Sequence, residues 1–287
     1  MKEDTQPTYR RQRFLLSFIN HIEGSVTLTE LQKLVFLHTM NAEDSFYDFI
    51  PYKFGAYSFQ LAEDLDILRR DGYIKKNNNR VQRVGNTNNE GSFFIVTERG
   101  NNLVRKAYNE YPYYTINSEL TNKLFKGEEA TRLLKEKAKY QRTSHILYTI
   151  GYEGKSIESF INLLIENRVR LLCDVRKNPL SRKFGFSKSK LEHITGTVGI
   201  KYIHIPDLGI ESELRKMLET PEDYSSVFNS YIDTLSDLEP YIDWVKSLFD
   251  TYKCIALMCY ESDAKMCHRH IISDYITDAH NIRSKEL

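Results

Sequence analysis

From Ile146 onward the chain alternates short apolar runs with helix-patterned segments, and this alternation restricts the fold more than any other feature. Ile146-Leu147-Tyr148-Thr149-Ile150 reads as a strand ended by Gly151, Leu171 to Val175 as the next, Lys201 to Ile205 as a third and Cys254 to Cys259 as a fourth. Amphipathic helices are expected over 157–167, through 191–196, and in the long stretch 223–251. Near-continuous apolar strands separated by helices imply a sheet buried on both faces, reached by right-handed crossovers. The expected fold class is therefore α/β, with residues 145–287 forming a mainly parallel sheet flanked by helices.

The first half has a different rhythm. Leu31, Leu34, Val35 and Leu37 make an apolar stripe behind the capping candidates Thr27 and Thr29, and Leu61, Leu65, Ile67 and Leu68 make another that Gly72 ends. Tyr73-Ile74 starts a strand, a polar stretch follows from Lys75 to Gly91, and Phe93 to Thr97 reads as the returning strand. Helices followed by a long-tipped hairpin describe a winged-helix domain over 1–105. Residues 106–144 read as a helical connector with charged spacings suited to a solvent face.

At 287 residues the chain is long enough for two cores. A net charge of +1, from 40 basic and 39 acidic residues, means that any polyanion must be held by a local basic face. No stretch approaches a membrane span, and the opening residues lack a signal peptide's apolar stretch, so no membrane partner and a cytoplasmic location are expected. The four cysteines, Cys173, Cys254, Cys259 and Cys267, all lie in the second half. That distribution does not suit a disulfide framework.

In a parallel sheet, ligands bind beyond the carboxyl ends of the strands. Those positions hold Tyr152 and Glu153, then Asp174, Arg176 and Arg182, then His204, then Tyr260 and Glu261, and past a short loop Cys267-His268-Arg269. Four separate segments thus deliver carboxylates, arginines, imidazoles and thiols to one edge. The segment from Gly151 to Ser156 imitates the end of a phosphate-binding loop, but Thr149 stands where that motif requires glycine, so a nucleoside triphosphatase is not expected.

Two resemblances attach to these residues. Pro51-Tyr52-Lys53-Phe54-Gly55-Ala56-Tyr57-Ser58, followed by Leu61, Asp64-Leu65, Leu68 and Gly72-Tyr73-Ile74, resembles the winged-helix module of YwgA-like proteins and Panacea-type antitoxin domains, with Ala56 where those commonly carry proline. It implies a module for DNA or protein contact. Tyr148 to Gly151, Cys173-Asp174-Val175-Arg176, Pro179, Ser181-Arg182, Tyr202-Ile203-His204, Leu208-Gly209, Cys259-Tyr260-Glu261 and Cys267-His268-Arg269 resemble the domain-of-unknown-function 488 family over about residues 146–280. Tyr152-Glu153 departs from the pair often found in that family.

Chemically, Asp174 and Glu261, assisted by Glu153, suit acid and base roles in hydrolysis. Arg176, Arg182 and Arg269 offer guanidinium forks to phosphate, with His204 nearby and Tyr152 and Tyr260 as stacking surfaces. In the first half, Arg69, Arg70, Lys75, Lys76, Arg80 and Arg83 crowd the last helix and the wing, and Lys33 lies on the second helix, where phosphates could be met. The leading expectation is a DNA-binding hydrolase performing base excision of glycosylase type, or strand cleavage, on modified or foreign DNA. Asp174 and Arg176 could equally pair with each other and lock their loops.

Cys267 beside His268 fits a catalytic nucleophile, or the two shape the site. No cofactor or metal ligand is assigned; a zinc set would need Cys173 or His204 to join Cys259, Cys267 and His268. The alternative is a non-enzymatic DNA-binding regulator whose C-terminal pocket senses a small ligand or a metal.

Overall fold

The computed structural model describes residues 6–42, 45–84, 92–141, 144–211 and 221–287. The chain divides into two compact units, Met1–Lys139 and Tyr140–Leu287.

The first unit begins with the helix Arg10–Asn20, strand β1 (Val26–Thr27) and the helix Leu28–Asn41. Thr27 caps that helix reciprocally: its hydroxyl accepts from Glu30 N–H while the Glu30 carboxylate accepts from Thr27 N–H. Strands β2 (Ile50–Tyr52) and β3 (Gly55–Tyr57) form a hairpin, and Ser58 caps the next helix, Phe59–Arg70. Strands β4 (Ile74–Asn77) and β5 (Arg80–Arg83) follow, and β1, β5 and β4 make an antiparallel sheet in that order. Asn78 and Asn79 turn between them at φ of 44° and 67°, a left-handed pair that asparagine tolerates better than most residues.

Two sequence expectations are corrected here. The strand returning from β4 is Arg80–Arg83, and 93–97 is not a strand. Phe93 instead packs edge-on against Phe14 and Phe18, at 5.6 and 5.5 Å, and Val96 is buried in the same core. A run this apolar gains more from the core than from a half-solvated hairpin. The asparagines at 86, 88 and 89 lie outside the described residues. Nor does the connector expected over 106–144 stand apart from the first unit up to Lys139. Tyr108 stacks on Phe125 at 5.6 Å, and both are buried with Leu133 in the first unit's core, so that stretch belongs to the unit.

Motif residues of this half are structural. Buried Asp64 accepts from Arg11 Nε at 2.6 Å, Gln12 Nε2 at 2.9 Å and Tyr47 Oη at 3.1 Å, tying the helices Arg10–Asn20 and Phe59–Arg70 together. Lys33, expected on a phosphate-facing surface, is 1% exposed and donates to the Ala56 carbonyl at 2.7 Å. Burial pulls its ammonium down to about 7. The unfolded chain holds that proton up to the ordinary lysine range, so the native state binds fewer protons between the two values. Stability is therefore expected to rise as pH climbs from about 7 towards 10, and Lys33→Met to flatten that rise in denaturant titrations at stepped pH.

The second unit is the parallel α/β layer that the strand pattern implies. Its sheet runs β10-β6-β9-β7-β8, built from Ile146–Gly151 (β6), Leu171–Asp174 (β7), Lys201–His204 (β8), Cys254–Cys259 (β9) and Ser284–Glu286 (β10), with every neighbouring pair parallel. Leu147, Leu171, Cys173, Ile255 and Leu257 pack with Val245, Phe249 and Ile272 in one layer. The alternate positions Ile150, Leu172, Ala256 and Met258 are equally buried, beneath helices that contribute Phe160, Leu164 and Leu191. Burial on both faces is why these strands read as unbroken apolar runs. No helix among the described residues is long and apolar enough to cross a membrane.

Candidate functional site

The carboxyl ends of β6, β7, β8 and β9 do bring the singled-out segments together, but they meet as a packed network. Asp174, the last residue of β7, is fully buried. Its Oδ1 accepts from the Arg176 backbone N–H at 3.1 Å and from Arg176 Nε at 2.8 Å, and its Oδ2 accepts from Arg176 Nη2 and Tyr202 Oη, both at 2.6 Å. Arg176 Nη1 donates to Tyr152 Oη at 3.0 Å, and its guanidinium lies 5.1 Å from that ring's centre. Strands β6, β7 and β8 are thereby joined through one ion pair. Burial pulls the Arg176 guanidinium down, but the Asp174 carboxylate outweighs it and holds the proton more tightly than usual. Burial and then the same carboxylate push the Tyr202 phenol up.

This arrangement removes Asp174 from acid and base duty. A carboxylate with four donors and no exposure has neither a lone pair nor a path to give to water. Arg176 is equally occupied and is not a phosphate fork. The Tyr152 ring, 4% exposed, stacks on Phe186 at 4.3 Å, so it offers no face to a base. His204 Nε2 sits 2.8 Å from the Arg176 carbonyl. Arg269 is buried as well, donating to the Glu261 and Ser262 carbonyls at 2.6 and 3.0 Å and to Glu286 of β10 at 3.1 Å.

The remaining candidates lie further out. Glu153 Oε2 accepts from Ser262 N–H at 3.0 Å and Oγ at 3.2 Å, closing the turn after β6 onto the turn after β9. Glu261 is half-buried, and its Oε2 is shielded from solvent without a hydrogen-bond partner. Arg182 and Tyr260 are exposed. Lys183, which sequence reasoning passed over, reaches from the same loop to the Tyr152 carbonyl at 3.0 Å.

Behind the ion pair lies a second cluster. Cys259 ends β9, Cys267 follows a single turn of 3-10 helix, and His268 precedes the helix Arg269–His280. His268 Nδ1 stands 4.0 Å from Cys259 Sγ and 3.9 Å from Cys267 Sγ, and the three atoms lie within 4.8 Å of one another. All three residues are buried. His268 Nε2 is 3.1 Å from the Val175 carbonyl, a bond that puts the proton on Nε2 and turns the Nδ1 lone pair towards the sulfurs. Among the described residues these are the three donors that come together, and neither Cys173 nor His204 joins them as a fourth.

The same burial overturns Cys267 as a nucleophile. The side chain is 2% exposed, and burial, followed by the neighbouring Cys259, pushes its thiol well up, where a nucleophile needs an accessible and acidified one. His268, buried against Val175, is likewise closed to substrate.

In the first unit, Arg69, Arg70, Lys75, Lys76 and Arg80 lie on the end of the helix Phe59–Arg70 and on the hairpin β4–β5. Arg69 and Lys76 each stand 3.7 Å from Asp66, Arg70 lies 3.9 Å from Asp71, and Arg80 donates to the Ser25 carbonyl at 2.9 Å. The Arg83 side chain lies outside the described residues.

Residues 156–276 match the family model described as Domain of unknown function DUF488. No curated protein and no solved structure matches the chain.

Proposed function

We propose that the protein is a DNA-binding regulator whose second unit holds a zinc ion on Cys259, Cys267 and His268. The observation that carries this reading is the buried set of two sulfurs and one correctly tautomerised imidazole nitrogen, drawn from a strand end and a following turn. Cys₂His is a donor set that zinc accepts, with a fourth position left for water or another ligand. Donors bound to one tetrahedral ion stand about 3.5–3.8 Å apart, somewhat closer than the nitrogen–sulfur separations of 3.9 and 4.0 Å seen. The Cys267 thiol, which burial holds protonated, gains from a cation that favours its thiolate. The occupied Asp174 and Arg176 favour a sensing role over hydrolysis.

The DNA contact is assigned to cationic loops. The order β1-β5-β4 and the preceding helices support a winged-helix reading of the first unit, with Lys75 and Arg80 on its hairpin. Glu63 and Asp66 on the helix Phe59–Arg70 would repel phosphate, so the hairpin is the better candidate than the helix. The second unit adds Arg182, Lys183, Lys188 and Lys190, while Lys177 beside them is paired with Glu211 at 2.8 Å.

Protein purified reduced and anaerobically is expected to contain zinc. Cobalt substitution should give thiolate-to-metal absorption, and Cys259→Ser should lower metal affinity by about 100-fold or more. Chelation is expected to change affinity for a DNA duplex in mobility-shift titrations by about tenfold, a coupling of ordinary size. Failure of the reduced protein to take up zinc or cobalt would remove the reading. Bases released or strands nicked by wild type but not by Glu261→Gln would replace it with the hydrolytic one.

A further inference from the structure

The helix Leu28–Asn41, the hairpin β2–β3, the helix Phe59–Arg70 and the tip of the hairpin β4–β5 enclose a cavity of about 340 Å³ in the first unit. Its walls are largely aromatic and aliphatic, with Tyr52, Phe54, Tyr57 and Leu65 among them. Lys33 lies in this lining. Its ammonium has three donor protons, of which Ala56 O takes one, and among the described residues no carboxylate pairs with it. The first turn of the helix Leu28–Asn41 also borders the space, its start already capped by Thr27 and the Glu30 carboxylate. The one acidic side chain of the lining, Asp66, is 3.7 Å from Lys76.

A buried cation without a counter-charge is costly unless something supplies one. The walls select what can. Apolar rings favour a flat hydrocarbon body, and the volume, at the small end of ligand pockets, limits it to about one ring with a short substituent. Asp66 and Lys76 neutralise each other, which leaves Lys33 as the uncompensated charge.

We propose that this cavity is a binding site for a small aromatic carboxylate, its anionic end paired with Lys33 Nζ and its ring held among Tyr52, Tyr57 and Leu65. The site is independent of the zinc reading and lies in the other unit. Ligand binding would return to Lys33 the proton that burial makes easy to lose, so complex formation takes up a proton near neutral pH.

The test uses the full chain with three benzyl probes in calorimetric titration: phenylacetate, its neutral isostere phenylacetamide, and the cation phenethylamine. Phenylacetate is expected to bind about 10- to 100-fold more tightly than phenylacetamide, the range of one buried charge-assisted hydrogen bond. Lys33→Met should abolish that preference. Ala62→Leu, which adds bulk to the cavity wall and leaves Lys33 in place, should weaken phenylacetate and phenylacetamide alike. Both variants are checked by circular dichroism for wild-type folding. No binding of phenylacetate at millimolar concentration, tighter binding of phenethylamine, or an undiminished carboxylate preference in folded Lys33→Met overturns the proposal.

Discussion

Asp174→Asn is expected to destabilise the second unit by about 3–5 kcal/mol, the usual cost of leaving one member of a buried ion pair without its partner. For a unit of this size that is a fall of roughly 6–20 °C in its melting temperature. The mutation preserves shape and removes charge, so packing is not the cause. Arg176 stays positively charged in a site with 1% exposure, and an amide cannot accept from its fork on both atoms. Tyr202→Phe, which removes only one donor from the carboxylate, should cost nearer 1 kcal/mol. Replacing both charges by apolar residues of similar size, Asp174→Leu with Arg176→Met, should recover most of the loss. Denaturant titration followed by circular dichroism distinguishes these outcomes. An Asp174→Asn protein as stable as wild type would mean that the ion pair is not what joins β6, β7 and β8.

Gly151→Ala should be at least as damaging. A methyl group at this position would lie 1.7 Å from the Glu261 carbonyl oxygen and 2.5 Å from its carbon, and both atoms are backbone. Neither can step aside by changing a rotamer. The turn after β9 would have to lift away, breaking the Glu153 N–H bond to the Tyr260 carbonyl at 2.8 Å and the Ser262 bonds to Glu153. A loss of about 3 kcal/mol or more is expected, at the upper end for overpacking because relief must come from main-chain movement. Gly209→Ala is the matched comparison, since its added carbon would fall 2.1 Å from Lys177 N. Substitution of Gly196, which has nothing within 4 Å of the added carbon, should be tolerated by comparison. Equal melting temperatures for the Gly151 and Gly196 variants would contradict this account.

The parallel sheet was legible because burial on both faces leaves a one-dimensional trace: runs such as Cys254 to Cys259 contain no polar position to alternate with. Of the strands that do not meet that condition, β4 was signalled by Tyr73-Ile74 and β8 by Lys201 to Ile205, but β5 and β10 were not found. β10 is Ser284-Lys285-Glu286, wholly exposed, and β5 has a polar residue at three of its four positions. Conversely, 93–97 has strand-like composition but fills a core gap among Phe14 and Phe18, a long-range packing effect that local propensity does not carry.

At the candidate site, strand-end reasoning located the residues but could not assign their work. Whether an Asp-x-Arg pair is a lock or a reactive group depends on Tyr152 and Tyr202, which come from elsewhere in the chain and supply the remaining contacts. The Cys259, Cys267 and His268 set has no familiar spacing because two of its members lie across a turn from the strand that carries the third. Lys33 looked like an ordinary exposed helix residue, and only the hairpin β2–β3 packed over it makes it otherwise.

The ladder between β6 and β9 has a kinetic consequence. Ile146 pairs with Cys254 and Gly151 with Cys259, so the central seam of the second unit unites segments from near its two ends. A nascent chain must therefore carry β6 and β7 through synthesis of most of the unit before β9 arrives to sit between them. Such late closure slows folding and leaves sticky edges open to aggregation in the interval.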